Sequence, residues 1–425
     1  MKVLDTDSTS FRFVLVGVLA LASTIPLGLV GCVASDRNQN YEEAVSNVAT
    51  SWGQAQRVSG PVILIPIAHE EEDAFVAVMP DALEVQVAST HEFRHRGIFD
   101  VPVFEMEVTG SGHFPAIDLA ALGDRFGPLR TNQATVLIAI RDTRGIRNAS
   151  LRINNRELNL VAIPDGPLGS GVSASDGGAG PDSLTGAFEF NLSLRGTRHS
   201  SVVPNADNAT ISIGSTWPHP RVPGRVLPDG CEVGTGGCGG WNHVSGGARG
   251  FPSVFRISSS DNNAFFTQES VGFDLFEPVN MYTSVERSLK YGIMFVVLTL
   301  VGLLCLELST GLRFHLVQYG VTIAALALFY LSLLALAEHI GFAASYIVSA
   351  ALLTAMIVWY AHGSIRDTRF TALVAAMLVA LYLLMYLLLR LESYSLLIGT
   401  MALLLTLGVL MRATRHLANP VEGTR

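Results

Sequence analysis

The sequence has little charge and few cysteines for its length, and both shortages exclude classes of protein. Of its 425 residues only 15% are charged, and the formal net charge is −8 at pH 7. The basic residues are scattered rather than clustered, so no nucleic acid partner is expected. Four cysteines are too few for a small scaffold held together by disulfides.

Patterns that would identify an enzyme are also scarce. The sequence has no Gly-x-Ser-x-Gly nucleophile elbow and no phosphate-binding loop. A Ser-His-Asp triad assembled from distant residues remains open, because its members need not be neighbours in sequence. We therefore predict a protein without enzymatic activity, and neither a cofactor nor a metal site.

The last third of the chain contains long apolar runs. Five of them follow one another with short polar breaks, at residues 291–305, 316–336, 342–359, 370–389 and 394–411. The hydrocarbon core of a bilayer is about 30 Å thick and needs roughly 20 residues of helix to cross it. Because a spanning segment must satisfy its own backbone hydrogen bonds, these runs predict helices rather than strands.

A further apolar run, residues 13–31, lies near the N-terminus. It fits either an uncleaved membrane anchor or a cleaved signal peptide. A lipoprotein signal is a variant of the second, since Leu29-Val30-Gly31-Cys32 matches a lipobox with Cys32 as the lipidated residue. We favour the anchor, because the run of about 18 residues exceeds the roughly 7–15 typical of a signal peptide.

The distribution of basic residues orients these six segments. With the N-terminus in the cytoplasm, the cytoplasmic pieces hold eight basic residues, and the short outer turns hold only Arg390. The predicted fold class is an α-helical polytopic membrane protein of six transmembrane helices, with a large β-rich extracytoplasmic domain inserted between helices 1 and 2. Its predicted parts are a cytoplasmic tail (1–12), helix 1 (13–31), a periplasmic domain (32–286), a five-helix bundle (287–411) and a cytoplasmic tail (412–425).

Short strand patterns separated by turn residues fill residues 34–285. Residues 61–67 form a continuous apolar run, typical of a strand buried on both faces, whereas 83–87, 101–108 and 188–194 alternate with period two. Further candidate strands lie at 135–141, 210–213, 254–257 and 271–276. We predict a sandwich or layered β-domain with one helix at 38–51, and a flexible loop in the Gly-rich stretch 166–186.

Two cysteines, one acidic run and one proline-rich turn are the local candidates for chemistry in this domain. Cys231 and Cys238 could form a disulfide in an oxidising compartment, remain free thiols, or bind a metal together with His243. We favour the disulfide. The acidic run 69–73 is interpreted as a solvated turn, because a calcium loop needs alternating carboxylates with a glycine bend. Residues 217–220, Trp-Pro-His-Pro, predict a rigid turn used in packing.

Ionisable residues beside the apolar runs carry the functional prediction. The candidates for coupling the domain to the membrane are Glu286, Arg287, Lys290, Glu338 and His339. Arg287 and Lys290 are three residues apart and would share a helix face. Glu338 and His339 are expected in a turn, because neighbours on a helix point about 100° apart and could not face one partner. Glu307 is interpreted as a polar residue that closes its helix on the inner side.

Segments spread over nearly the whole chain resemble the CreD family of bacterial inner-membrane proteins. They include residues 51–56 (Ser-Trp-Gly-x-x-Gln), 60–66 (Gly-Pro-Val-Ile-Leu-Ile-Pro), 96–104 (Arg-Gly-Ile-Phe-x-Val-Pro-Val-Phe), 215–220, 276–280, 286–292, 315–319, 336–342 and 395–400. No single segment is a mechanistic motif, but their order along the chain makes the resemblance specific. Cys32 and the enlarged Gly-rich stretches at 166–186 and 228–249 depart from the family, which suggests that those stretches are not essential to the fold.

The resemblance implies an inner-membrane protein with one large periplasmic domain, associated with a two-component envelope-stress regulon, colicin tolerance and the β-lactam response. The family has no established enzymatic activity, so no catalytic residues are carried over. The expected function is maintenance or sensing of cell-envelope integrity, with the lipid bilayer and a periplasmic or inner-membrane protein as partners. The alternatives are a transporter or permeation unit for an unknown solute and an enzyme acting on lipid or wall precursors.

Overall fold

The computed structural model divides into two compact units, one helical and one β-rich. It describes residues 9–68, 74–175, 177–217, 220–221, 230–233, 241–249, 253–258, 270–275, 281–310, 315–391 and 394–414. The helical unit comprises Met1–Tyr41 and Val279–Arg425, and the β-rich unit comprises Glu42–Pro278. The acidic run 69–73 and residues 218 and 219 of the Trp-Pro-His-Pro segment lie outside the described residues.

The helices of the described residues include six segments that are long and apolar enough to cross a membrane. These segments are Phe13–Trp52, Gly292–Thr310, Leu316–Ile340, Phe342–Ile365, Thr368–Arg390 and Ser395–Arg412. The helices themselves are α1 (Thr9–Ala22), α2 (Thr24–Trp52), α3 (Leu119–Phe126), α4 (Met281–Lys290), α5 (Gly292–Thr310), α6 (Leu316–Ile340), α7 (Phe342–Ile365), α8 (Thr368–Arg390) and α9 (Ser395–Thr414). Six apolar helices with a β-rich region between the first and second confirm the predicted fold class.

Helix α2 is longer than the sequence patterns predicted. The helix expected at 38–51 is the second half of one that begins at Thr24, so the domain boundary expected at residue 32 falls inside a helix. Residues 32–52 contain neither glycine nor proline, and nothing in them ends the helix. It ends at Gly53, where φ is +137° and a Cβ atom would lie 2.5 Å from the carbonyl oxygen of Arg195. The other expected boundary, at 286, falls inside α4.

The strands of the β-rich unit form two sheets. They are β1 (Gln56–Pro66), β2 (Ala74–Val78), β3 (Ala82–Arg96), β4 (Phe99–Phe114), β5 (Thr135–Ile140), β6 (Ile146–Ile153), β7 (Arg156–Leu158), β8 (Val161–Gly166), β9 (Gly169–Ser175), β10 (Gly186–Thr197), β11 (His199–Val203), β12 (Asn208–Ser215), β13 (Pro220–Arg221), β14 (Gly230–Val233), β15 (Trp241–Arg249), β16 (Val254–Ser258) and β17 (Val271–Leu275). The first sheet has the order β13-β17-β11-β1-β5-β9-β8, with β2 also paired to β1 and β16 paired to β2. The second has the order β14-β15-β12-β3-β4-β10-β6-β7.

The two sheets pack face to face as a sandwich. Ile63 of β1 lies in the same buried cluster as Val85 of β3 and Leu192 of β10. Its neighbours Val62 and Leu64 belong to a second buried cluster on the other side of the first sheet. Strand β1 is therefore buried on both faces, as its continuous apolar run predicted, while β3 and β10 show the predicted alternation of buried and exposed residues.

The prediction of a flexible loop at 166–186 was wrong. Strand β9 lies within this stretch and pairs with β5 on one side and β8 on the other. At Gly171 a Cβ atom would lie 2.3 Å from the carbonyl oxygen of Ile138, so glycine permits the close approach of the two strands. The glycines of this stretch favoured the prediction of a flexible loop, but Gly171 instead allows two strands to pack closely. Strands β9, β14 and β15 fall within the Gly-rich stretches, so both stretches contribute strands to the sheets.

The membrane-spanning helices pack around an aromatic centre. Helix α6 packs on α7, α7 on α8, and α5 on both α8 and α9. The ring of Phe329 in α6 lies 4.9 Å from that of Tyr382 in α8 and 5.4 Å from that of Tyr346 in α7. Helix α9 faces outward, and its Leu396 is 83% exposed. Large apolar side chains on the outside of a helix are expected where the surrounding solvent is lipid.

Candidate functional site in the helical unit

Three helices meet at the carboxylate of Glu338, in the last turn of α6. Its Oε1 atom accepts a hydrogen bond of 3.4 Å from the phenol oxygen of Tyr282 in α4. The same oxygen lies 3.9 Å from Nε of Arg37 in α2, and the Glu338 side chain is only 10% exposed. Because the three helices come from distant parts of the sequence, no single segment could show this contact.

Tyr282 is a buried donor in this cluster. Its ring lies 5.7 Å from the ring of Tyr41, centroid to centroid. Burial raises the pKa of the Tyr282 phenol, and the charge of Glu338 and the hydrogen bond to it raise that pKa further; Arg37 acts in the opposite direction. The phenol therefore keeps its proton at physiological pH and donates a hydrogen bond to the Glu338 carboxylate.

The contacts that hold Glu338 are long. Hydrogen bonds between two oxygens are usually 2.5–3.0 Å, and the distance to Arg37 is close to the upper limit for an ion pair. Removing a carboxylate from water costs several kcal/mol unless its partners are well placed. A carboxylate with two such distant partners is only weakly positioned by them.

The turn expected at Glu338 and His339 is not observed. Both residues are helical, and the chain turns one residue after α6 at Gly341, where φ is +76°. The N–H group of Gly341 donates to the carbonyl oxygen of Ala337, which caps the helix. His339 is exposed and, as the helical neighbour of Glu338, points about 100° away from it. The structure does not bring this acid and imidazole together.

The three predicted coupling residues of α4 differ in their surroundings. Nζ of Lys290 lies 3.1 Å from Oε1 of Glu286, one helical turn away, and both side chains are largely exposed. Such an exposed pair is worth about 0.3–0.5 kcal/mol. Arg287 is partly buried. For Glu338, Tyr282 and Arg37 are the partners that the sequence did not reveal.

A second polar pair lies among the membrane-spanning helices. Glu307 of α5 is 4% exposed, and one of its carboxylate oxygens accepts a hydrogen bond of 2.9 Å from the phenol of Tyr319 in α6. It is therefore buried, in the last turn of α5. Ionisable residues inside a membrane bundle are costly and are a default hypothesis for function.

The cysteines offer no reactive centre in the described part of the chain. Cys32 is exposed on α2, and Cys305 is buried in α5; both are free. The backbone of Cys231 lies in β14. Its side chain and all of Cys238 lie outside the described residues, so the favoured disulfide stays a prediction.

The sequence contains a zinc-protease pattern, His-Glu-x-x-His, at residues 91–95. The prediction of no metal site did not take this pattern into account. The motif works on a helix, where its two histidines are one turn apart. Here it lies on β3, where residues four apart are separated by roughly 13 Å. Nδ1 of His91 lies 2.7 Å from Oγ1 of Thr216, and His95 pairs with Asp100. Among the described residues, no group of three suitable side chains could hold a metal ion.

A Ser-His-Asp chain of hydrogen bonds is also present, in the sandwich. Nδ1 of His199 lies 2.6 Å from Oδ1 of Asp274, and its Nε2 lies 3.0 Å from Oγ of Ser201. Nε of Arg57 donates to the same hydroxyl at 3.2 Å. Ser201 is 0% exposed, so its hydroxyl cannot meet a substrate in this conformation. These hydrogen bonds connect β1, β11 and β17. His199 and Asp274 lie side by side because they are paired residues of β11 and β17.

The junction of α2 with the sandwich is a further feature that the sequence did not reveal. The guanidinium groups of Arg94 and Arg195 lie 4.1 and 3.9 Å from the ring centroid of Trp52. Each of these cation–π contacts contributes about 0.5–2 kcal/mol. The indole N–H also donates to the carbonyl oxygen of Phe104. The end of α2 is thus firmly attached to β3, β4 and β10.

Comparison with known proteins assigns the family. A sequence model of the family described as Inner membrane protein CreD matches residues 8–418. The chain belongs to the CreD family. Inner membrane protein CreD of Escherichia coli (strain K12) is 27% identical to it over 410 residues, which cover 92% of this chain and 90% of that protein. Membership of the CreD family confirms the resemblance carried by the sequence segments, and the six apolar helices agree with an inner-membrane protein.

Proposed function

We propose that this CreD-family protein maintains or senses the integrity of the cell envelope from the inner membrane, without catalysing a reaction. One observation carries the proposal. Helix α2 leads into the β-rich unit and α4 follows its last strand in the chain, and the side chains of Arg37 in α2 and Tyr282 in α4 both contact Glu338 of α6. A single carboxylate thus contacts both helices that join the domain covalently to the bundle.

In the proposed arrangement the β-rich domain lies in the periplasm and both termini lie in the cytoplasm. The excess of basic residues at the cytoplasmic ends of the segments supports this orientation. A load or ligand on the domain would reach the membrane through α2 and α4. The long contacts at Glu338 suit such a role, because a loosely held carboxylate can exchange partners when either helix shifts.

The test is complementation of a strain that lacks the protein. Envelope sensitivity to detergents, colicins and β-lactams would be compared for the wild type, Glu338→Gln and Tyr282→Phe, with membrane levels measured by immunoblotting. We expect both variants to insert normally and to complement poorly. Glu107→Gln is the matched control, since it makes the same change at an exposed residue of β4 in the other unit.

Three results would contradict this proposal. Full complementation by Glu338→Gln and Tyr282→Phe would show that the cluster has no part in the function. Absence of any envelope phenotype in the deletion strain would remove the function itself. Alkaline phosphatase needs an oxidising compartment to form its disulfides, so an inactive fusion after residue 249 would place the domain in the cytoplasm and contradict the orientation.

Transport of a solute is the second candidate function, and the buried pair of Glu307 and Tyr319 favours it. A carboxylate inside a bundle is a common part of ion and proton pathways. Against it, α5 to α9 are each unbroken, whereas many transporters bind their substrates at discontinuous helices. Liposomes containing the purified protein would show solute or ion flux that Glu307→Gln abolishes. No flux above protein-free liposomes over a broad solute panel would exclude this candidate.

A further inference from the structure

A groove of about 460 Å³ crosses the solvent-facing side of the second sheet. It is formed by four strands, β3, β4, β10 and β6, which are consecutive in that sheet. Strands lie about 4.8 Å apart, so the groove extends roughly 14 Å across them. None of the candidate site residues of the helical unit lines it.

One row of side chains across the groove is entirely neutral and capable of hydrogen bonding. The strand register aligns Gln86, Thr109, Asn191 and Ser150 in this order, and all four line the groove. Within the described part of the chain, the side chains of Asn191 and Ser150 make no hydrogen bond. Amides and hydroxyls both donate and accept, so this row suits a ligand that also does both.

The next row brings charges of both signs. The register aligns Glu84, Ser111, Glu189 and Arg152, and these residues also line the groove. Two carboxylates and one guanidinium leave a net negative charge, which disfavours phosphates, nucleic acids and anionic lipids. Two carboxylates alone do not make a metal site, and no group of three metal-binding side chains occurs among the described residues.

The groove also lacks the apolar anchors of a protein interface. The exposed large apolar side chains of the sandwich in its described residues are Phe93, Ile98 and Val161, and none of them lines the groove. Its one aromatic residue, Phe190, is 4% exposed and packs against Gly110. Stable protein partners normally insert aromatic or aliphatic side chains into the centre of an interface. A small or linear polar ligand fits better.

We infer that this groove binds a neutral glycan chain. The row from Gln86 to Ser150 exchanges hydrogen bonds with sugar hydroxyls, Glu84 and Glu189 accept from further hydroxyls, and Arg152 donates to a ring or acetamido oxygen. The inference deepens the proposed function and rests on it for the source of the glycan, because a periplasmic domain would face the glycan of the cell wall. Binding itself does not depend on the orientation.

The test is calorimetric titration of the full-length protein in lipid nanodiscs. The probes are hexa-N-acetylchitohexaose and cellohexaose, with heparin as the polyanionic comparison. We expect saturable binding of at least one neutral hexasaccharide and none of heparin. Gln86→Ala and Asn191→Ala should each weaken that binding about tenfold, because each removes one or two hydrogen bonds to a neutral ligand.

The matched control is Asn148→Ala. Asn148 is exposed on β6 of the same sheet and pairs with Ser193, outside the groove, so its loss should leave the dissociation constant unchanged. No saturable binding of either hexasaccharide at millimolar concentration, preference for heparin, or equal effects of Asn191→Ala and Asn148→Ala would overturn the inference. Failure of this binding, with the envelope phenotype of the deletion strain still present, would remove the glycan alone, whereas binding without any envelope phenotype in the deletion strain would remove the proposed function alone.

Discussion

Two carboxylates of similar burial, one in each unit, are held in opposite ways. The side chain of Asp142 in the sandwich is 7% exposed, and that of Glu338 in the helical unit is 10% exposed. Asp142 accepts four hydrogen bonds of 2.8–3.1 Å, from the backbone of Gln54 and from the backbone and guanidinium of Arg144. Glu338 has one hydrogen bond of 3.4 Å and one cation at 3.9 Å.

The difference separates a fixed junction from an adjustable one. Asp142 lies where the chain leaves α2 and enters β1, next to Gln56, whose amide donates to the carbonyl oxygens of Asp142 and Arg195. Every hydrogen bond there is short, so the junction has one arrangement. Glu338 contacts two helices loosely, and its arrangement can change without breaking a backbone ladder.

The largest effect should come from the core of the sandwich. Phe104 is 0% exposed in the main cluster, so Phe104→Ala should lower the free energy of unfolding of the sandwich by about 3–5 kcal/mol. Leu396→Ala on the outer face of α9 should change the stability of the helical unit by less than about 0.5 kcal/mol in a bilayer. Guanidinium unfolding followed by circular dichroism, with the protein in nanodiscs, measures both. Equal effects would contradict the placement of Leu396 against lipid.

The end of α2 gives the next largest effect. Gly53→Ala would place a Cβ atom 2.5 Å from the carbonyl oxygen of Arg195 at a φ of +137°, which should cost about 2–3 kcal/mol. Gly123→Ala in α3 is the control, because no atom lies within 4 Å of its added Cβ, and it should stabilise the domain slightly. Thermal unfolding of both variants tests this; a neutral Gly53→Ala would show that the junction is not fixed.

The third effect tests the short hydrogen bonds of Asp142 through pH. Burial alone would raise the pKa of Asp142, but the hydrogen bonds from Arg144 and from the backbone of Gln54 outweigh it and lower the pKa below 3.8. A lowered pKa contributes stability above pH 3.8, and that contribution is lost as pH falls through the folded-state value. Asp142→Asn should therefore cost about 2 kcal/mol at pH 7, and the gap to the wild type should close below pH 3.8. If the wild type were still more stable than Asp142→Asn at pH 2, the loss of stability in the variant would be due to packing.

The sequence predicted what depends on local pattern and missed what depends on distant residues. Apolar runs predicted all six membrane-spanning segments because hydrophobic length alone decides them, and alternation predicted β3, β4 and β10. Strand β9 was missed because its glycines serve close packing on β5. The partners of Glu338 come from residues 37 and 282, which are 301 and 56 positions away. No periodicity connects positions so far apart.

The smallest effect is the most direct test of the comparison, since it asks how strongly Glu338 is held. A double-mutant cycle with Tyr282→Phe and Glu338→Gln should give a coupling of about 0.5–1 kcal/mol, because the hydrogen bond is long and Arg37 remains as a second partner. The cycle is measured by denaturant unfolding of the helical unit in mixed micelles. A cycle with Leu396→Ala on the outer face of α9 in place of Glu338→Gln should give no coupling. A coupling of 2–3 kcal/mol would make Glu338 as firmly held as Asp142, and the adjustable contact between the two connecting helices would have to be abandoned.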